Sequence, residues 1–128
     1  SMRVSLNSVQ EKYYNGYFRP RGYRFTDVVR GIDAALNKGL FVSLNYLHCP
    51  GFTDTAGEMR AFKRFLREHP VHMIQWRNLN MDPLRYWNAM KDLHSLGAAV
   101  GMHHLFSDIR KAFPGLRHGY FNPPKETF

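Results

Sequence analysis

The stretch that decides the fold is Leu40–Leu47, with the sequence LFVSLNYL. It is short, mostly apolar and rich in β-branched and aromatic residues, which is typical of a strand buried between two layers. Two further runs of this kind lie along the chain, Arg3–Asn7 before it and Val71–Arg77 after it. We therefore predict three strands.

Each predicted strand is followed by a segment that carries the signals of a helix. Two pairs have the spacing of a capping box, in which a hydroxyl and a glutamate satisfy backbone N–H groups: Ser8 with Glu11, and Thr55 with Glu58. Thr26 is the predicted N-cap of a helix over Asp27–Lys38, and Gly39 is placed to end that helix in a left-handed turn.

Two more helices are predicted after the third strand. Asp82 followed by Pro83 reads as an N-cap with proline at the first helical position, and Gly97 is the predicted stop. A last amphipathic segment runs from Leu105 to Phe113.

The alternation of strand and helix predicts an α/β fold of three consecutive parallel β/α units. Three parallel strands would leave unpaired backbone N–H and C=O groups at both edges of the sheet. A domain that folds by itself avoids such exposed edges. About 40 residues per unit agrees with a barrel unit that carries extended loops. We therefore expect residues 1–128 to form a single partial domain, a half of a partial TIM-like barrel, and so a fragment of something larger.

The chain is basic, with 18 Lys and Arg against 10 Asp and Glu. The densest cluster lies on one side of a predicted helix, at Arg60, Lys63, Arg64 and Arg67. A solvated helix face is the favoured interpretation, and a contact surface for phosphate backbones is the alternative. A second group, Arg19, Arg21 and Arg24, alternates with aromatic residues. This pattern suits base stacking, but we favour a loop anchored to its own domain.

Several classes of protein are excluded or disfavoured by composition. The one cysteine, Cys49, excludes a disulfide framework and any metal or iron–sulfur site built from several cysteines of this chain. The seven histidines lack the spacing and acidic companions of a metal site, so none is predicted as a metal ligand. The sequence has neither an apolar run of roughly 18–20 residues nor a signal peptide, and we expect no membrane contact and a cytoplasmic setting.

Polar side chains gather where the three predicted strands end, and in parallel α/β folds ligands bind beyond that end. They include Ser5, Asn7, Asn45, Arg77 and Asn78. Amides, hydroxyls and a guanidinium recognise neutral or anionic polar ligands, and we predict a binding pocket there without assigning a catalytic residue. The alternative is that the asparagines cap loops and that Arg77 pairs with an acid.

The segments RVSLNS at 3–8, VSLNYL at 42–47, PGFTD at 50–54 and MIQWRNLN at 73–80 resemble the later half of radical S-adenosylmethionine enzymes. The resemblance covers nearly the whole chain and aligns its strands with the fourth to sixth strands of their partial barrel. It implies that Ser5 meets the ribose of S-adenosylmethionine and that Asn45 lines the same cofactor. Trp76, Arg77 and Asn78 would lie near adenine and substrate.

The CxxxCxxC loop that holds the 4Fe–4S cluster of that family is absent, together with the first strands. The resemblance therefore implies a parent enzyme that cleaves S-adenosylmethionine reductively with its cluster. This chain would be the C-terminal portion, inactive alone and binding neither cofactor completely. Its partner would be the missing N-terminal half or a second copy, and the substrate is unknown.

A non-catalytic role is the alternative function. The chain would then be a half-barrel interaction module that self-associates or completes a partner. Its basic helix would be the candidate contact for nucleic acid, although a nucleic-acid partner is not the favoured expectation.

Overall fold

The computed structural model describes residues 1–49, 51–78 and 100–120. Within these ranges lie four strands, β1 (Met2–Leu6), β2 (Val42–His48), β3 (Met73–Asn78) and β4 (Arg117–Tyr120). The helices in the same ranges are α1 (Glu11–Phe18), α2 (Phe25–Asn37), α3 (Ala56–Glu68) and α4 (Met102–Ala112). The predicted helix between Asp82 and Gly97 lies outside the described residues.

All described strands join one parallel sheet in the order β1-β2-β3-β4. The α/β class and the parallel pairing of the three predicted strands are therefore confirmed. A fourth strand that was not predicted joins the sheet, because β4 pairs with β3 from Met73↔Arg117 to Trp76↔Tyr120. The sequence RHGY of β4 lacks an apolar alternation, so its strand conformation comes from the pairing with β3 and not from a pattern of its own.

The core lies on one face of the sheet, where alternate strand residues meet the helices. Strand residues such as Leu6, Leu44 and Ile74 are fully buried, and they belong to one cluster with Ile32 of α2 and Ile109 of α4. Successive side chains of a strand point to opposite faces, so the residues between these lie on the other face of the sheet. Every described strand carries polar side chains on that second face, and only a few positions of the face are not polar.

Helix α2 begins two residues earlier than predicted. Its N-cap is Arg24 and not Thr26, and the Arg24 N–H donates to Oδ2 of Asp27 at 2.8 Å. The earlier start places Phe25 in the helix, where it is buried in the core. The capping preference of Thr26 alone does not predict this burial. The predicted stop is confirmed, because Gly39 adopts a φ of 77° while Leu40 N–H returns to Ala35 O at 3.0 Å.

Helix α3 has the two faces that its spacing predicts. Met59, Phe62, Phe65 and Leu66 are buried, whereas Arg60, Arg64 and Arg67 are exposed. The fourth cation of the cluster, Lys63, lies 2.9 Å from Oδ2 of Asp108 on α4 and joins the two helices. Helix α4 itself starts three residues before the predicted Leu105.

None of the described helices is both long and apolar enough to cross a bilayer.

Candidate functional site

A row of polar residues crosses the face of the sheet that points away from the helices. The strand register places Ser5 beside Asn45 and Asn45 beside Gln75, and Gly119 of β4 continues the row. We call Ser5, Asn45 and Gln75 the polar row. Arg77 comes two residues after Gln75 on β3 and therefore shares this face. The structure thus brings polar residues of the three predicted strands together on one face. Three of the predicted site residues are among them, Ser5, Asn45 and Arg77.

The polar row is open to a ligand to different extents along its length. Ser5 is exposed, while Asn45, Gln75 and Arg77 are half-buried. At Gly119 an added Cβ would lie 2.8 Å from Cε of Met73 and 3.5 Å from Cγ of Gln75. The glycine therefore leaves room for these two neighbouring side chains on the same face.

Four buried polar atoms near the carboxyl ends of β1 and β2 make no hydrogen bond with the described residues. They are Oδ1 of Asn7, Oδ1 of Asn45, Nδ1 of His48 and Oε1 of Glu58. Buried polar atoms are nearly always paired with protein or water, so a concentration of unpaired ones indicates a place where solvent or a ligand supplies the partner.

Asn7 and Ser8 extend β1 into this edge of the sheet, and both are fully buried. Asn7 holds the following helix, since its Nδ2 donates to Tyr13 O at 3.1 Å. Ser8 does not form the predicted capping box with Glu11. Helix α1 has Gln10 as its N-cap, and the Ser8 hydroxyl accepts from Gln10 N–H at 3.0 Å while it donates to Oε2 of Glu58 at 2.8 Å.

Glu58 is the buried carboxyl group of this region, with 1% of its surface exposed. Its Oε2 also accepts from Nε2 of Gln10 at 2.6 Å. Burial raises the pKa of Glu58 to about 7, against the opposing effects of the bonds from Gln10 and Ser8 and of the charge on Lys12. The predicted capping box with Thr55 is wrong: Thr55 is the N-cap of α3, but its hydroxyl donates to Phe52 O at 2.7 Å.

A second buried carboxylate, Asp54, orders the loop between β2 and α3. Oδ1 accepts from Gly51 N–H at 2.7 Å, and Oδ2 accepts from Gly101 N–H at 2.8 Å, just before α4. The backbone oxygen of Asp54 accepts from Val100 N–H at 3.1 Å. Asp54 was not predicted as a site residue, although a buried acid on a strand-end loop has the chemistry to collect backbone N–H groups.

Next to this loop, burial lowers the pKa of His48 and raises the pKa of the Cys49 thiol, and the charge of Asp54 opposes the first effect and adds to the second. Cys49 is therefore a thiol at neutral pH. Among residues 1–49, 51–78 and 100–120, no group of three or more His, Cys, Asp or Glu side chains is arranged to hold a metal ion.

Trp76 lies apart from the other predicted site residues. It alternates with Gln75 and Arg77, so it faces the helices, and only 1% of its surface is exposed. Its Nε1 donates to Nδ1 of His118 at 3.1 Å, and its ring packs on Tyr46, Phe62 and Phe106. Asn78 ends β3, and its side chain lies outside the described part of the chain.

Sequence comparison identifies no relative. No family model, no curated protein and no solved structure matches this chain. In the part of the chain that the structure describes, the fold and the site define an α/β protein with an all-parallel sheet, helices on one face and polar side chains on the other.

Proposed function

We propose that this chain forms part of the barrel wall of a radical S-adenosylmethionine enzyme, in which the polar row lines the pocket for S-adenosylmethionine and substrate. The observation that carries the proposal is the strand register that aligns Ser5, Asn45 and Gln75 on one face. Hydroxyl and amide groups in such a row suit a ligand with ribose hydroxyls, an amino group and a heterocycle.

The topology favours a barrel wall rather than an open doubly wound sheet. A doubly wound sheet reverses its strand order and carries helices on both faces. Here the strands follow one another in sequence order, and the described helices share a single core on one face. In a (β/α) barrel the strands are also sequential, the helices form the outer layer, and the opposite face points inward.

The residues present fit one implied cofactor and not the other. Exposed Ser5 and the unpaired Oδ1 of Asn45 offer groups for S-adenosylmethionine, which when bound supplies the hydrogen-abstracting chemistry of the family. A 4Fe–4S cluster needs several thiolates, and Cys49 is the one cysteine of the sequence. Cluster ligands would therefore have to come from another part of the enzyme, and this chain's own contribution is to bind and orient.

The test uses the complete cluster-bearing protein, reconstituted with iron and sulfide without oxygen. We expect 5′-deoxyadenosine to be formed from S-adenosylmethionine. The variants Ser5→Ala, Asn45→Ala and Arg77→Gln should each weaken S-adenosylmethionine or substrate binding about three- to tenfold, which corresponds to the loss of one hydrogen bond. Unfolding midpoints should stay close to that of the unsubstituted protein.

Two exposed positions outside the polar row serve as matched controls, Ser107→Ala on α4 and Asn37→Ala at the end of α2. Their affinities should not change. The proposal fails if no 5′-deoxyadenosine is formed, or if the three variants of the polar face bind both ligands as tightly as the controls do.

A further inference from the structure

A cavity of about 500 Å³ lies beside the connection between α1 and α2. Its lining residues include Arg19, Arg21, Arg24, Tyr23, Glu11 and Asn15. Three guanidinium groups against one carboxylate give the cavity a positive character. None of the three arginine side chains forms an ion pair with another described residue, so their charges are available to an anionic ligand.

The connection that forms this arginine cavity has a defined conformation. Arg19 adopts a left-handed conformation, with φ 48° and ψ 61°, and its N–H donates to Asn15 O at 2.9 Å. Glycine usually occupies this position after a helix, because a Cβ makes the left-handed conformation unfavourable, and asparagine is the common alternative. An arginine here costs stability, and such strain is found where a side chain is needed for binding.

Aromatic contacts hold the same connection against the domain. The hydroxyls of Tyr14 and Tyr23 lie 3.1 Å apart, and the buried Tyr14 ring contacts Phe18 and Phe25 at centroid distances of 4.6 and 5.0 Å. This arrangement agrees with the interpretation that the aromatic residues anchor the loop. It holds the backbone of the connection that carries the three arginines, which reduces the entropy lost when a ligand binds.

The position of the arginine cavity in the fold also suits an anion. Helix α2 ends at Asn37, close to the start of β2 at Val42, so its C-terminus lies at the amino edge of the sheet. Its N-terminus, next to Arg24, therefore points toward the carboxyl edge, where parallel α/β proteins bind their ligands. The dipole of the first turn adds to the attraction for negative charge, and the Asp27 carboxylate, which accepts from the Arg24 N–H at 2.8 Å, offsets part of it.

We propose that the arginine cavity binds the phosphate or diphosphate group of a small molecule. The three arginines line one open cleft of this volume, which matches a small ligand, whereas a nucleic acid would need cations spaced along an extended track. The inference does not depend on S-adenosylmethionine binding, because none of the cavity residues belongs to the polar row.

Titration calorimetry with inorganic pyrophosphate tests the proposal on the 128-residue chain, at constant ionic strength and with chloride as the reference anion. We expect binding to pyrophosphate and a loss of about tenfold in affinity for Arg21→Gln, the effect of one charge-assisted contact. Arg19→Gly should lose a similar factor while its thermal midpoint stays the same or rises, because glycine accepts the left-handed conformation. This combination separates a binding role from a structural one.

Arg64→Gln on the exposed face of α3 is the matched control, because it removes the same charge outside the cavity. Its affinity should not change. Equal losses in Arg64→Gln and Arg21→Gln would overturn the proposal, as would pyrophosphate heats no larger than those of chloride. A single-stranded RNA that binds more tightly than pyrophosphate and is weakened by Arg64→Gln would overturn it in favour of a nucleic-acid surface.

Discussion

Replacing Trp76 with alanine should lower the free energy of unfolding by about 3–5 kcal/mol, the range for removing a large aromatic side chain from a core. Trp76 is buried on the helix-covered face and contacts Tyr46, Phe62 and Phe106. Urea unfolding followed by far-ultraviolet circular dichroism measures the change, because this signal does not depend on the tryptophan that is removed.

Trp76→Phe is the matched variant, since it keeps an aromatic ring and removes the indole N–H that donates to His118. Burial, with a further effect from the charge of Arg110, lowers the pKa of His118 and favours the neutral ring that accepts this bond. The phenylalanine variant should lose less stability than the alanine variant. If Trp76→Ala unfolds within about 0.5 kcal/mol of the unsubstituted protein, the residue is not part of the core.

The pH dependence of stability should carry the signature of Glu58. Its pKa is about 7 in the folded protein against 4.5 for the free side chain. Because the pKa is raised in the folded protein, the stabilising contribution of Glu58 to the free energy of unfolding is fully present below pH 4.5. It is lost as the pH rises to 7. At about 1.4 kcal/mol per pKa unit, the free energy of unfolding should fall by on the order of 3 kcal/mol across this window and then level off.

Glu58→Gln should remove most of this slope, because glutamine does not ionise. The comparison concerns the slope and not the absolute stability, since an amide at this position also changes the bonds with Ser8 and Gln10. Glu68→Gln, at the exposed end of α3, should leave the slope as it is. Chemical unfolding at pH 5, 6, 7 and 8 provides the measurement. Parallel profiles for the unsubstituted protein and Glu58→Gln would show that Glu58 does not titrate in this range.

The role of Glu58 was predicted wrongly because the prediction rested on a local motif. Thr55 and Glu58 have the spacing of a capping box, and Thr55 does precede the helix. However, Glu58 lies four residues before Phe62 and thus on the apolar face of α3, a signal that could have indicated burial. Its partner Ser8 is 50 residues away along the chain. No short-range pattern contains that pairing, which arises only when β1 and α3 pack together.

The candidate pocket was predictable to the extent that it follows from alternation and parallel pairing. Ser5, Asn45 and Arg77 were expected at one edge, and the register and alternation place them on one face. Gln75 joins them because the strand register pairs it with Asn45. Trp76 is the reverse case, since it alternates with Gln75 and Arg77 and the period of the strand alone places it on the opposite face from Arg77.

Residue patterning alone was sufficient for the α/β class, the parallel strands and the end of α2 at Gly39, because each depends on side-chain period or backbone preference over a few residues. Folding in three dimensions was needed to recruit β4, to join Glu58 to Ser8 and Gln10, and to link Asp54 to the start of α4. These features depend on which distant groups meet once water is excluded, and buried polar atoms then take whatever partners the packing brings within reach.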